Sequence, residues 1–180
     1  VVERAKIIDG SRAQPGDSLI ALPSSGPHSN GYSLIRKVLD VTGADTSQSC
    51  GEVSLGEALL APTTIYNRPL LALQKTVDIK AMAHITGGGI LENLPRVLPA
   101  DLGAEIQRDS WQLPFVFQWL QAGGNIEETE MMRTFNCGIG MVLVVDQAAA
   151  SSTLEALTAQ GVNGWELGHI TEEAAGVQFN

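Results

Sequence analysis

Cysteine is scarce in this chain. The two present, Cys50 and Cys137, form neither a CxxC nor a spacing suited to metal ligation. The three histidines, His28, His84 and His169, are scattered and no HExxH occurs, which argues against a zinc site. So little cysteine points to a reducing, cytoplasmic setting. Positive charge is also short. Eleven Lys and Arg face twenty Asp and Glu, a formal net charge of −9, and no basic cluster interrupts that balance. Nonspecific nucleic-acid binding is therefore not the main role. Long apolar runs are missing: the longest, Ile139 to Val145, is far too short to cross a bilayer, and no signal peptide is visible. A membrane partner is not expected. The first residue, Val1, is not methionine, and the chain reads as a piece whose preceding residues lie elsewhere.

What the chain does have is apolar content and glycine. Hydrophobic residues make up 44% of its 180 positions and charged residues 17%, a balance that favours one packed domain over disorder. The stretch from Asp17 to Val41 organises the rest. Leu19 to Leu22 is a short apolar run of the kind a strand buried on both faces shows. Tyr32, Leu34, Ile35, Val38, Leu39 and Val41 recur at helical spacing. Between them lie Ser24, Ser25, Gly26, Pro27, His28, Ser29, Asn30 and Gly31. A helix start leaves N–H groups unpaired and carries a partial positive charge, and glycine permits close backbone approach, so this junction can cradle an anion. His28 adds a group that moves a proton near neutral pH. The alternative is a plain turn that caps the helix with Ser29 or Asn30.

A second unit of the same kind lies further along. Ile79 to Thr86 predicts a strand, Gly87-Gly88-Gly89 a loop, and about Leu91 to Leu98 a helix interrupted at Pro95. His84 stands at the strand end and Thr86 supplies a hydroxyl. Two glycine loops, each beside a histidine, read as two walls of one site; the alternative is a tight turn at Gly87 to Gly89 and a satisfied core histidine at His84. Elsewhere, Val1 to Ile8 predicts a strand with one charged face, and Asp45 to Gly51 an exposed loop that includes Cys50. Ser54-Leu55-Gly56-Glu57 is a capping box opening a short helix through Leu60. Ile65 to Gln74, Pro114 to Ala122, Glu127 to Arg133 and Ala148 to Ala159 predict helices, the second with its aromatics in the core. Gly103 to Arg108, the second half of Phe135 to Val145, Gly164 to Ile170 and a short edge at Val177 to Phe179 predict strands. Cys137 reads as a small core residue and His169 as structural or exposed.

Several long segments closely resemble AIR synthetase, the phosphoribosylformylglycinamidine cyclo-ligase family of purine biosynthesis. They are Asp17 to Leu39, His84 to Pro99, Met132 to Gly140 and Gly164-Trp165-Glu166-Leu167-Gly168, in that order. The resemblance covers essentially the whole chain and falls on the enzyme's C-terminal half. It implies an α+β fold, a three-layer α/β/α arrangement on a mixed sheet, spanning residues 1–180 as a single domain. It implies that the N-terminal domain, which carries most of the ATP and Mg²⁺ site, is absent from this chain, and that the full-length enzyme is a homodimer. The family closes the imidazole ring of formylglycinamidine ribonucleotide with ATP, giving aminoimidazole ribonucleotide, ADP and phosphate. On that footing His28 and His84 are the candidate catalytic residues. Ser24, Ser25, Gly26, Ser29, Asn30, Gly31, Thr86, Gly87, Gly88 and Gly89 are candidates to hold substrate or phosphate. Arg96 and Arg133 are candidates for an oxyanion, the alternative for each being a surface ion pair. No metal ligand is assigned to this chain. One position departs from the pattern: the family's Pro-Thr-Arg-Ile-Tyr stands here as Pro62-Thr63-Thr64-Ile65-Tyr66. Related ATP-using families, among them formylglycinamidine ribonucleotide synthetase, selenophosphate synthetase and thiamine-monophosphate kinase, are the alternative enzymes. A binding or assembly module without chemistry is the alternative of another class.

Overall fold

The apolar run at Leu19 to Leu22 sits inside a six-stranded sheet. In the computed structural model, which describes residues 3–172 and 176–180, the strands are β1 (Ser18–Pro23), β2 (Ser49–Cys50), β3 (Val53–Ser54), β4 (Ile79–His84), β5 (Gly103–Ile106), β6 (Ile139–Val145), β7 (Trp165–Thr171) and β8 (Gly176–Phe179). The helices are α1 (Tyr32–Thr42), α2 (Leu55–Leu59), α3 (Asn67–Leu73), α4 (Gly89–Asn93), α5 (Phe115–Gly124), α6 (Glu128–Thr134) and α7 (Ala150–Ala159). The sheet runs β4-β6-β1-β7-β5-β8, while β2 and β3 form a separate hairpin. All neighbours in the large sheet are antiparallel except β5 and β8, which are parallel, so the sheet is mixed.

Alternation along the strands sends side chains to two faces. Leu19, Ala21, Ala83, Val142, Val144 and Leu167 pack with Ile90 and Leu94 on one side. Ile20, Leu22, Leu143 and Val145 pack on the other with Leu70 and Leu73 of α3 and Leu157 of α7. The central strands are thus apolar on both faces, which is why they read as continuous hydrophobic runs. A third cluster, around Phe117 and Phe135 with ring centroids 5.9 Å apart, joins α1, α2, α5 and α6. The α+β reading with helices on both faces of a mixed sheet holds.

Three local features break or close the regular elements. The partners of Leu22 and Pro23 on β6 are Met141 and Ile139, so Gly140 is an extra residue. This bulge resets the alternation: Ile139 packs with Val142 and Val144, although its odd number would place it with Met141 and Leu143. A second irregularity, between Ile79 and Ala81, sets Lys80 out of the ladder. Its side chain turns to Asp17 at 2.5 Å in a buried ion pair, with Asp146 at 3.7 Å. The capping box at Ser54 and Glu57 forms as its spacing predicts.

Four expectations need correction. Val1 and Val2 lie outside the described residues, and Arg4–Lys6 is a 3-10 turn rather than part of a strand. The alternation of Val1 to Ile8 finds no neighbouring strand to pair with among the described residues. Neither Ser29 nor Asn30 caps α1; its N-cap is Gly31, in left-handed backbone with φ 74° and no side-chain bond. Cys50 is buried in the β2–β3 hairpin rather than exposed. Phe115 is 62% exposed, while Phe117 on the same helix is fully buried. The run Phe115 to Phe117 spans more than the width of the helix's apolar stripe, and Phe115 falls outside it.

Candidate active site

The strand order alone brings the two glycine corners together. β6 lies between β4 and β1 and is antiparallel to both. The C-terminal ends of β1 and β4 therefore emerge at one edge of the sheet, two strand spacings or about 10 Å apart. The loop holding His28 leaves β1 there, and the loop at Gly87 to Gly89 leaves β4. The start of β6, with the bulge at Gly140, is between them.

Three rings meet over that bulge. The His28 and His84 centroids are 6.3 Å apart, and Tyr66 stands 6.2 Å from each. Glycine is required at position 140: a Cβ there would fall 1.7 Å from Tyr66 Oη and 3.1 Å from His28 Cε1. Tyr66 donates its hydroxyl to Pro23 O at 2.7 Å, and burial pushes the phenol up to about 12, so it stays protonated. His28 is only 4% exposed. Its Nε2 accepts the Ser25 N–H at 3.1 Å and the Thr64 N–H at 3.3 Å. The Ser25 hydroxyl is also 3.1 Å from Nε2 and donates to Pro62 O at 2.6 Å. His28 Nδ1 is buried and has no hydrogen-bond partner among the described residues. Burial, aided by the charge of His84, holds His28 below the ordinary histidine range. His84 itself is exposed. With Thr64, Tyr66 and Met141 it lines a groove of about 360 Å³ beside α3.

Asparagines build the two loops. Asn136, 2% exposed, accepts Ser24 Oγ and Gly138 N–H and donates to Gly26 O. Asn93 does the same service for the second loop, donating to Gly87 O and Gly89 O, with the Thr86 hydroxyl 3.3 Å from its Oδ1. Asn30 joins the two: its Nδ2 donates to His28 O at 2.9 Å, and its Oδ1 accepts Gly87 N–H at 3.0 Å. Neither Tyr66, Asn93 and Asn136 nor Gly140 was singled out for the site from sequence. The signal available was positional: each lies within or next to a segment of the resemblance.

Of the residues expected to form the site, His28, Ser24, Ser25, Gly26, Ser29, Asn30 and Gly31 are on the first corner, and His84, Thr86, Gly87, Gly88 and Gly89 on the second. The side chain of Asn30 is engaged with protein at both ends. Gly89 serves packing, since a Cβ there would meet Met132 O at 1.9 Å. The two arginines stand differently. Arg96 is exposed and pairs with Glu92 at 3.0 Å, and Arg133 is exposed and 3.9 Å from Glu130. No hydrogen bond ties either to the corner loops among the described residues. Thr64 donates its backbone N–H to His28 Nε2. Cys137 is buried, its Sγ donates to Met131 O, and burial pushes the thiol up to about 12, so it is no nucleophile. Among the described residues no group of three or more His, Cys, Asp or Glu is placed to hold a metal ion. Mg²⁺ prefers a set of carboxylate oxygens, and the two carboxylates beside these corners are separately engaged, Glu92 at Gly88 with Arg96 and Glu57 with Ser54, so the residues here do not fit it. No helix of the described residues is long and apolar enough to cross a membrane.

A mixed, mainly antiparallel sheet with helices on both faces, and with His28 and His84 brought side by side at one end, defines an α+β domain. The family profile described as "AIR synthase related protein, C-terminal domain" matches residues 14–179, and the chain belongs to that family. Its fold is similar to that of the hydrogenase maturation protein HypE from E. coli, at 18% identity and TM-score 0.64, covering 94% of this chain and 47% of that one. Thiamine-monophosphate kinase from Stenotrophomonas maltophilia is similar at 18% identity and TM-score 0.64, covering 99% and 54%. Phosphoribosylformylglycinamidine synthase II from Thermotoga maritima is similar at 15% identity and TM-score 0.53, covering 96% and 25%. The chain thus spans a quarter to about half of the length of these proteins.

Proposed function

We propose that this chain is the substrate-side domain of a phosphoribosylformylglycinamidine cyclo-ligase. The reaction closes the imidazole ring of formylglycinamidine ribonucleotide with ATP, giving aminoimidazole ribonucleotide, ADP and phosphate. The observation that carries the reading is the convergence of the His28 loop and the His84 end of β4 on one end of the sheet, with the buried His28 Nδ1 left unpartnered. The long segments from Asp17 to Leu39 and from His84 to Pro99 favour this reaction over the others run by the same architecture.

ATP supplies the phosphoryl group that turns the formyl oxygen into a leaving group; its contacts and those of Mg²⁺ lie mainly in the N-terminal domain. The residues of this chain bind and orient the ribonucleotide. The hydroxyl and amide of Ser29 and the hydroxyl of Thr86 hold its 5′-phosphate, since the donors of Ser24 and Ser25 are spent within the loop. His84, open to the groove, moves the amidine proton as the nitrogen attacks. Partners on this reading are the protein's own N-terminal domain and a second copy, in the cytoplasm.

The test is turnover by the full-length protein, with heat protection measured in parallel. Formylglycinamidine ribonucleotide and ATP should yield aminoimidazole ribonucleotide, and this ribonucleotide should raise the melting temperature. Protection by thiamine monophosphate instead, with no ring closure, would assign the domain to a kinase of the same architecture. Unchanged catalysis and stability in both His28→Ala and His84→Ala would leave a module without chemistry.

A further inference from the structure

We infer that His28 acts as a neutral hydrogen-bond donor, through Nδ1, to an oxygen of the bound ligand, and that His84 is the member of the pair that exchanges protons. This deepens the reading of the corner as a ligand site and divides the labour between its two histidines.

The neighbours of His28 decide which of its nitrogens carries the proton. Two backbone N–H groups, from Ser25 and Thr64, point at Nε2. Neither can reverse its polarity, so Nε2 must accept. The Ser25 hydroxyl commits its hydrogen to Pro62 O and turns a lone pair toward Nε2. That single acceptor stands against two fixed donors. In a neutral imidazole with Nε2 as acceptor, the proton sits on Nδ1. Protonating Nε2 would oppose both backbone dipoles at once. A general base at this position would need that nitrogen free, and it is occupied by the loop's own backbone. The remaining group, Nδ1–H, is a buried donor without an acceptor, on a residue only 4% exposed. Buried donors are almost always satisfied, so an orphan calls for an acceptor from outside the chain.

The surroundings agree. The rings facing His28 are those of His84 on β4 and Tyr66 before α3, and neither brings a negative charge to stabilise an imidazolium. Burial and His84 both press His28 toward neutrality. The backbone of the loop is strained at this point. His28 and Ser29 hold left-handed backbone, with φ 51° and 61°, a conformation that non-glycine residues rarely take. It is held by hydrogen bonds to Nε2 and to His28 O rather than by local preference.

The experiment is ¹⁵N–¹H correlation of histidine-labelled full-length protein at neutral pH, with the His28 signal assigned by its loss in His28→Gln. Spectra are taken alone, with inorganic phosphate, and with formylglycinamidine ribonucleotide. The expected result is a single proton on Nδ1, with Nε2 bare, and a downfield shift of the Nδ1 proton with one or both ligands. A shift with phosphate identifies a phosphoryl oxygen; a shift with the ribonucleotide alone identifies another of its oxygens. A proton on Nε2, or on both nitrogens, overturns the inference whatever the enzyme's substrate. So does an Nδ1 proton that neither ligand moves. A shift with phosphate alongside no ring closure in the turnover assay supports the inference and sinks the cyclo-ligase reading. A pair of variants gives a second readout. In His28→Asn the amide nitrogen takes the place of Nδ1, and kcat should stay within about 10-fold. In His28→Gln that donor is gone, and kcat should fall about 100-fold or more. Equal losses in the two variants contradict a donor role.

Discussion

Replacing Gly140 by alanine tests the geometry of the site without substituting any titratable group. The new Cβ would fall 1.7 Å from Tyr66 Oη and 2.7 Å from Cζ. Neither neighbour can yield freely, because Tyr66 is buried and its hydroxyl is tied to Pro23 O at 2.7 Å. Overpacking of this kind costs about 1–3 kcal/mol. Breaking the tyrosine's hydrogen bond adds about 1 kcal/mol. The total, about 2–4 kcal/mol, corresponds to a fall in Tm of about 5–15 °C for a domain of this size. Urea denaturation of the protein, followed by tryptophan fluorescence, measures it. Tyr66→Phe removes the atom that the methyl strikes first. In that background Gly140→Ala should therefore cost less, with a coupling of at least about 1 kcal/mol. The same cost in both backgrounds, or no cost at all, refutes the stacking of Tyr66 on the bulge.

Other parts of the molecule give three further outcomes. Asn136→Ala leaves Gly26 O and Gly138 N–H without their buried partner and should cost about 2–4 kcal/mol in denaturation, with faster hydrogen exchange at Gly138. Lys80→Met strips the buried Asp17 of its cation and should cost about 3–5 kcal/mol, most of it recovered when Asp17 is also made apolar. His28 is held neutral on folding, so its folded pKa lies below the ordinary value of 6.5. The folded state then binds fewer protons than the unfolded one, and this contribution to stability is complete above pH about 6.5 and is lost as the pH falls below it. Wild-type stability should drop through that window, with a His28 slope of at most about 1.4 kcal/mol per pH unit, and His28→Gln should flatten the curve.

The fold was largely legible where burial leaves a periodic trace. Leu19 to Leu22 and Met141 to Val145 are buried on both faces and read as strands. Tyr32 to Val41 shows its apolar stripe, and Ser54 to Glu57 its cap. The order of strands was not legible, because β1 pairs with β6 and β7, which come more than a hundred residues later. That order is what turns two loops far apart in sequence into neighbours. The asparagines were hidden for a different reason. A polar residue that satisfies a loop from within looks, in sequence, like any loop residue exposed to water. Tyr66 was hidden because its significance lies in a contact with Gly140, across 74 positions. Val1 to Ile8 misled because alternation marks a strand only where a partner strand is at hand.

The central claim is that both corners grip one ligand. A crystal structure of the full-length protein with formylglycinamidine ribonucleotide tests it directly. The account predicts an oxygen of the ligand within hydrogen-bond distance of His28 Nδ1, with His84 and the Thr86 to Gly89 loop on the other side of the same molecule. A ribonucleotide seated elsewhere, with both corners as they stand here and the Nδ1 proton still unpaired, contradicts it.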